Sequence, residues 1–153
     1  MSDAPQFKRL KRSDLTQLAL GAVLGISLFL PWYRTAGSNP NSSIDGKRGH
    51  LTAWDVHPVL RWILLAAAIA TLLGAWQTIR AQRTELHRGE ITVILAAFLA
   101  GLIVFVGLLH RPGEPASTIS LEYGWFLALA SGLGGIATGL VRLPPGRRKP
   151  PGV

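Results

Sequence analysis

The feature that most constrains this chain is a run of about 19 residues without a charged side chain, 15–33, which ends in Leu30-Pro31-Trp32-Tyr33. A helix of this length and polarity spans the roughly 30 Å hydrocarbon core of a bilayer. Three further apolar runs follow, at about 59–79, 91–109 and 122–141. The sequence therefore predicts an all-α integral membrane protein, a four-helix up-down bundle with both termini inside (N-in/C-in).

The charged residues lie mainly between these runs and set the predicted orientation. Eleven Lys and Arg residues fall on the side of the two termini, and five fall on the other side. Because positively charged flanks stay in the cytoplasm, the loops 34–58 and 110–121 are predicted to lie outside. We predict that 1–12 is a basic cytoplasmic segment, that 13–142 is the transmembrane domain, and that 143–153 is a disordered, basic, proline-rich tail.

The composition narrows the class of protein and of partner. The net charge of +8 fits basic flanks that bind anionic lipid headgroups at the cytoplasmic face, so we expect anionic lipids, and no nucleic acid, as partners. The absence of cysteine excludes disulfides, thiolate metal ligands and cysteine nucleophiles. The excess of Arg over Lys, with abundant Ala, Gly, Leu and Pro, indicates a GC-rich bacterial genome and hence a bacterial plasma membrane.

Small residues recur at four-residue spacing in the apolar runs, where they let helices approach closely. The predicted packing positions are Gly21, Gly25, Ala66, Ala70, Gly74, Ala97, Gly101, Ser131, Gly135 and Gly139. Aromatic residues fall near the ends of the runs, where amphipathic rings are stable at the membrane–water interface. The predicted membrane anchors are Trp32, Tyr33, Trp54, Trp62, Trp76, Tyr123 and Trp125.

Candidate chemistry is confined to the two predicted outer loops. Asp45, His50, Asp55 and His57 are of types that bind Zn²⁺, but no short paired-ligand spacing joins them. Asp55, His57 and His110 suit acid–base chemistry, yet no G-x-S-x-G, H-E-x-x-H or P-loop pattern is present. We therefore predict that the protein holds no metal or cofactor and is not an enzyme.

Two function hypotheses stay open. The centres of the apolar runs offer only the hydroxyls of Ser27, Thr71, Ser131 and Thr138, whereas transport pathways usually hold ionisable groups at mid-membrane. This favours a structural or accessory membrane protein that binds a membrane partner or a second copy of itself. The alternative is a small channel or transporter subunit. Trp32 and Trp54 bracket the first outer loop, either as belt anchors or as pins that hold the loop as a docking surface.

Several short motifs resemble those of small four-span membrane proteins of high-GC actinobacteria, in which helix 1 ends in Leu-Pro-Trp-Tyr. The motifs are Lys11-Arg12-Ser13-Asp14, Ser27-Leu28-Phe29-Leu30-Pro31-Trp32-Tyr33, Leu51-Thr52-Ala53-Trp54-Asp55, Glu122-Tyr123-Gly124-Trp125 and the Arg-Lys-Pro-Pro-Gly end. The resemblance covers most of the chain. It implies a four-span fold and a location in the membrane, and it implies no mechanism.

Overall fold

The computed structural model describes residues 12–79 and 88–143, with the backbone alone at 75–79 and at 88. Helices and strands follow one another as α1 (Arg12–Ser27), β1 (Pro31–Thr35), β2 (His50–Thr52), α2 (Ala53–Val56), α3 (Leu60–Ile79), α4 (Arg88–Val104), β3 (Ile119–Leu121) and α5 (Tyr123–Val141). A π-helical turn, Phe105–Leu109, continues α4, and a 3₁₀ turn, Ala116–Thr118, precedes β3. The predicted terminal segments, up to residue 11 and from residue 144, lie outside the described residues.

The prediction of an all-α four-helix up-down bundle is wrong. The described part of the chain has mixed architecture, with five helices and a three-stranded antiparallel sheet. The sheet is built from residues that the sequence reading assigned to the end of the first span and to the two loops. Strand pairing joins segments that lie far apart in sequence, so a local hydrophobic periodicity does not predict it.

Two helices of the described part are long and apolar enough to cross a membrane. They are Gly89–Leu109, which includes the π-helical turn, and Tyr123–Val141. A shorter apolar helix covers Leu60–Gly74. α1 has 16 residues, because the helix ends at Ser27 and the chain then tightens into a turn in which the Phe29 and Leu30 amides donate to carbonyls three residues earlier.

Strand β1 lies at the centre of the sheet, in the order β2-β1-β3. Pro31 cannot donate a helical hydrogen bond, and the residues after it are aromatic or β-branched, which favours extended structure. Tyr33 and Thr35 are buried, while Arg34 between them is exposed. β1 pairs antiparallel with both neighbours, so Arg34 lies opposite His50 on one side and opposite Ser120 on the other.

The sheet, α2 and the connections 36–49 and 110–118 form one layer, termed the cap, that covers one end of the long helices. The described side chains share one hydrophobic core that runs from the cap into the helices. Its fully buried members include Leu28, Trp32, Tyr33, Ile44, Leu64, Ile103 and Ile119. The cap is therefore packed onto the helices as part of the same folded unit.

The helices pack through a limited set of neighbours. α1 packs against both α3 and α5, and α5 packs against α4. All three strands of the cap run directly into helix ends, since β1 follows α1, β2 leads through α2 to α3, and β3 leads to α5. The cap thus holds these helix ends together at one side of the molecule.

Candidate functional site

Five of the predicted packing residues lie at helix–helix contacts. A Cβ atom placed on Gly21 would come within 2.9 Å of the Thr71 side chain, and one on Gly25 would lie 3.6 Å from Ala68 Cβ. On α5, Ser131, Gly135 and Gly139 are buried. A Cβ on Gly135 would lie 2.9 Å from Ala96 Cβ, and one on Gly139 would lie 3.1 Å from the Gly89 carbonyl oxygen. Backbone therefore meets backbone between α4 and α5.

The other five predicted packing residues lie elsewhere. Ala66, Ala70 and Gly74 on α3 are exposed, as are Ala97 and Gly101 on α4. The spacing of small residues is the same as on α5, but these residues face outward. The structure thus separates one set of small residues that holds the molecule together from a second set that forms part of its surface.

The predicted anchors also divide into two groups. Trp54, Trp62 and Tyr123 keep part of their rings at the surface. Trp32, Tyr33 and Trp125 differ from the expectation of an interfacial position, because they are buried inside the protein. The side chain of Trp76 lies outside the described residues.

Buried indole rings are stable only when their N–H groups find acceptors. Trp32 Nε1 donates to the Ser27 carbonyl at 2.7 Å, and Trp125 Nε1 donates to the Ile103 carbonyl at 2.9 Å. The two indoles therefore tie the cap to the end of α1 and α5 to α4.

The surface aromatic rings form a cluster with one arginine. Trp54 stacks on Phe29 with 5.1 Å between ring centroids and meets Trp62 edge-on at 5.2 Å. The Arg61 guanidinium lies 5.1 Å from the Trp54 ring centroid and 5.6 Å from that of Trp62, and it also donates to the Trp54 carbonyl at 2.8 Å. Cation–π contacts of this kind hold a charge beside apolar surface.

A buried polar pair lies where the cap meets the helices. The hydroxyl of Tyr33 lies 2.9 Å from His57 Nε2 and donates to the Val106 carbonyl at 3.3 Å. The imidazole, the hydroxyl and the carbonyl all have hydrogen-bond partners when His57 Nε2–H donates to the Tyr33 oxygen and the Tyr33 hydroxyl donates to the Val106 carbonyl. This chain of two hydrogen bonds joins β1, the residue after α2, and the π-helical turn.

Burial shifts the pKa values of both partners away from the charged forms. Desolvation, with a smaller contribution from the charge of His110, lowers the pKa of His57 to about 4. Burial raises the pKa of Tyr33 above its usual value, against the opposing effect of Arg111. At neutral pH both side chains are therefore uncharged, as a buried hydrogen-bonded pair requires.

Carbonyls of the π-helical turn and of the last turn of α4 accept side-chain hydrogen bonds from the cap and from α5. Turns of this type depart from the regular α-helical bonding pattern and often occur at functional positions. Arg111 Nε donates to the Gly107 carbonyl at 3.0 Å, and Arg111 Nη1 donates to the Ile119 carbonyl at 2.8 Å. With the bonds to Ile103 and Val106, three carbonyls around this turn accept side-chain donors.

The residues considered for metal binding or acid–base chemistry do not converge. His57 is engaged by Tyr33, and His50 Nδ1 lies 2.7 Å from a Glu122 carboxylate oxygen. Asp55 closes a capping box with Thr52. Hydrogen bonding to Thr52 lowers the pKa of Asp55, aided by the charge of Lys47. Within residues 12–79 and 88–143, no three His, Cys, Asp or Glu side chains are placed to hold a metal ion.

The four hydroxyls of the apolar helices bond within their own helices. Ser27 donates to a carbonyl three residues earlier, and Thr71, Ser131 and Thr138 donate to carbonyls four residues earlier, at distances of 2.7–3.0 Å. Their hydrogen-bonding capacity is used locally, so they present no polar lining between the described helices.

A cleft of about 390 Å³ opens on the surface of the cap, at the end of β1 that is farther from the helices. Its lining consists of Arg34, Thr35, Ala36, Gly37, Arg48, Gly49 and His50. Thr35 and Gly49 form its floor through a pair of hydrogen bonds, Thr35 N to the Gly49 carbonyl and Gly49 N to Thr35 Oγ1. The connection returns tightly because Gly46 and Gly49 adopt positive φ angles of 75° and 94°, which glycine adopts without steric cost.

Arg34 and Arg48 were not singled out from the sequence. They are separated by a turn-rich connection, and only its folded path places both guanidinium groups beside one cleft. A signal was present in Gly46-Lys47-Arg48-Gly49, where two glycines flank two basic residues, but that pattern alone does not identify the partner across the sheet.

Comparison of the chain with protein-family models, with curated proteins and with solved structures gives no match.

Proposed function

We propose that this chain is a non-enzymatic, multi-pass protein of a bacterial plasma membrane that serves as a structural or accessory subunit. In this proposal the long helices lie in the bilayer, the cap stands at one membrane face, and the exposed small-residue face of α3 binds a helix of another membrane protein. The proposal rests on three features of the described residues: the apolar helix surface, the placement of small residues, and the local bonding of buried hydroxyls.

The outward surface of the helices supports a lipid environment. Large apolar side chains on α4 and α5 are more than half exposed, among them Ile94, Phe98, Leu133 and Leu140. In water an apolar surface of this extent would be unfavourable, at roughly 25 cal/mol per Å², whereas lipid chains solvate it. α1 and α3 carry the same kind of surface, with Ile26, Ile69 and Leu73 exposed.

One observation carries the proposed partner site: α3 exposes Ala66 and Ala70 one turn apart on an otherwise bulky surface. Other outward positions of this helix hold Ile63, Ile69 and Leu73. Small residues at this spacing form a shallow groove in which a second helix packs closely, and close packing is the main source of helix association in lipid.

The molecule itself uses this geometry. α5 packs against α4 through Gly132 and Gly135, where a Cβ atom would lie 3.1 Å from Ala100 Cβ and 2.9 Å from Ala96 Cβ respectively. The exposed groove on α3 has the four-residue spacing of Ala96 and Ala100, without a described helix against it. We therefore assign to it the same role, with the partner supplied by another protein.

The channel or transporter hypothesis receives no support from the described residues. A pathway for ions or polar solutes would need polar groups turned toward a shared lumen. The hydroxyls that the sequence offers for such a lumen are bonded within their own helices.

The experiment uses the cysteine-free background of the chain. A single cysteine in Ala70→Cys is labelled with a thiol-reactive benzophenone in membranes of the native host, and illumination crosslinks whatever lies against it. We expect a single adduct of defined mass with another membrane protein, which co-purifies in mild detergent at constant stoichiometry.

The matched control is Ala130→Cys, because Ala130 is also exposed but lies on α5. The proposal requires the adduct at position 70 and not at position 130. It also requires that Ala70→Leu releases the partner while Ala130→Leu retains it. A crosslink between two copies of this chain would contradict a partner of another kind and identify a homo-oligomer. Lipid adducts alone at both positions would contradict the proposed site.

A further inference from the structure

The cleft on the cap brings together basic side chains that the proposed subunit role does not use. Arg34, Arg48 and His50 line it, and no acidic residue does. The carboxylate of Glu122 lies beside it, with an oxygen 2.7 Å from His50 Nδ1. Two guanidinium groups are permanently charged, so the cleft carries a net positive charge.

The sheet register places the side chains of the cleft on one face. Arg34 on the central strand is the register partner of His50 on β2 and of Ser120 on β3. Directly opposed residues of antiparallel strands point to the same side of the sheet. Arg34 and His50 are exposed there, and Arg48 approaches from the connection that precedes β2.

The donors of these side chains are only partly used. Within the described residues, the Arg34 guanidinium makes no hydrogen bond or ion pair. Arg48 uses Nε and one Nη2 hydrogen, which donate to the carbonyls of Ser42 and Asn39 at 3.3 and 2.8 Å. These two bonds hold the Arg48 side chain in place, and three of its five N–H donors remain for other partners.

We propose that this cleft binds a phosphate group. Two guanidinium groups and an imidazole approach from the central strand, the connection and the edge strand, and a tetrahedral anion offers an oxygen to each of them. A planar carboxylate satisfies one guanidinium fork and leaves the other donors unmatched. His50 Nδ1–H donates to Glu122, so Nε2 is the ring nitrogen available to the ligand: in the neutral ring it accepts the P–OH hydrogen of inorganic phosphate, and in the imidazolium it donates to a phosphate oxygen.

The position of the cleft bears on the source of the phosphate. Thr35, on its floor, is four residues beyond Pro31, and a strand rises about 3.3 Å per residue, so the cleft lies about 13 Å from the start of β1. Headgroups extend about 5–7 Å beyond the hydrocarbon core on each side. With the cap at a membrane face, as in the proposed function, and β1 along the membrane normal, the cleft stands at or beyond the headgroup level, within reach of a soluble phosphate or of the phosphate of a protruding lipid headgroup.

The test uses the full chain in nanodiscs of phosphatidylcholine, titrated with inorganic phosphate in a calorimeter. We expect saturable binding at one site per chain and at least a tenfold loss of affinity in Arg34→Gln. Because Arg34 makes no side-chain bond to the described residues, this variant should fold normally, which near-UV circular dichroism checks. Arg48→Lys, which keeps the charge but loses the guanidinium fork, should weaken binding at least threefold.

Lys47→Gln is the matched control. Like Arg34→Gln it removes one positive charge, here from the residue next to Arg48, but Lys47 does not line the cleft and lies 3.7 Å from Asp55 instead. Its affinity should stay within twofold of the parent.

A second arm replaces phosphatidylcholine by phosphatidylglycerol without added phosphate. Thermal stabilisation that requires Arg34 in this arm alone would identify a lipid headgroup as the source. Equal losses of affinity in Arg34→Gln and Lys47→Gln would show that only the overall charge matters, which would overturn the proposal. The absence of saturable, Arg34-dependent binding in both arms would also overturn it.

Discussion

The indole of Trp125 lies directly on Gly107, so that a methyl group at position 107 would overlap the indole nitrogen. The same nitrogen donates to the Ile103 carbonyl one turn earlier. The ring therefore occupies a notch in the π-helical turn that exists only because residue 107 has no side chain. This contact aligns the beginning of α5 with the end of α4.

Gly107→Ala is expected to destabilise the protein by about 1–3 kcal/mol, the usual penalty for overpacking a well-filled core. Gly101→Ala is the control, since a Cβ there would meet no atom within 4 Å. In the control, the better helix propensity of alanine should leave stability unchanged or raise it by up to about 1 kcal/mol. Unfolding of both variants in detergent, followed by near-UV circular dichroism, gives the comparison, and equal effects would contradict the described contact.

Acid should weaken the junction between cap and helices through His57. Its pKa is about 4 in the folded chain and about 6.5 when unfolded, so between these values the unfolded chain binds more protons. The stability of the neutral pair is fully present above pH 6.5, is lost as the pH falls toward 4, and changes no further below that. The loss is at most about 3 kcal/mol, at 1.36 kcal/mol per pKa unit.

His57→Gln separates this effect from other titrations. The amide can still donate to the Tyr33 oxygen, but it does not titrate. The free energy of unfolding measured from pH 7 to pH 4 should fall less steeply in this variant than in the parent. Parallel pH profiles for the two proteins would show that His57 does not set the acid sensitivity.

Trp32→Phe should be costly although it preserves an aromatic ring. Trp32 is fully buried, and the change removes the donor to the Ser27 carbonyl. That carbonyl keeps the bond from the Leu30 amide, so the expected cost is that of one lost buried hydrogen bond, about 0.5–1.5 kcal/mol, to which the space left by the smaller ring adds. Trp62→Phe, at a position that is 55% exposed, should change stability by less than about 0.5 kcal/mol. Chemical unfolding of the two variants side by side provides the measurement.

Thiol labelling tests the proposed membrane arrangement. Ser38→Cys lies at the surface of the cap, and Ser13→Cys lies at the start of α1, at the other end of that helix. A membrane-impermeant maleimide should label Ser38→Cys in intact cells and Ser13→Cys only after lysis. Labelling of both in intact cells would contradict a bilayer between the two positions.

The helices were largely readable from the sequence, and the sheet was not. Apolar runs extend over enough residues to mark a helix, although the first helix ends at Ser27 and Pro31 already begins β1. Strand β3 comprises only Ile119, Ser120 and Leu121, which is shorter than the 4–8 residues over which alternation becomes informative. Its partner, β1, directly follows a helix with no intervening polar segment. The energy that forms the sheet comes from burial of Tyr33 and Ile119 against the helices, which depends on the complete fold.

For the candidate sites, too, the sequence pattern identified residue types but not where the fold places them. Four-residue spacing identified both the small residues of α5 and those of α3, but spacing does not say which face meets a neighbour. Similarly, Arg34 and Arg48 come together because the connection between them turns at glycines with positive φ. Trp32 and Trp125 were expected at the surface because their sequence positions match those of interfacial residues. In the structure both rings are buried, and each indole N–H donates to a backbone carbonyl.

The central position of β1 has a consequence for how the chain is made. The strand leaves the ribosome early, whereas Ser120, which bonds the Arg34 carbonyl, follows 86 residues later. Until then one edge of β1 has no strand beside it, and such an edge readily pairs with other chains. The sheet is therefore completed only when the segment just before the last helix has been made, so a chain arrested before β3 keeps an open strand edge.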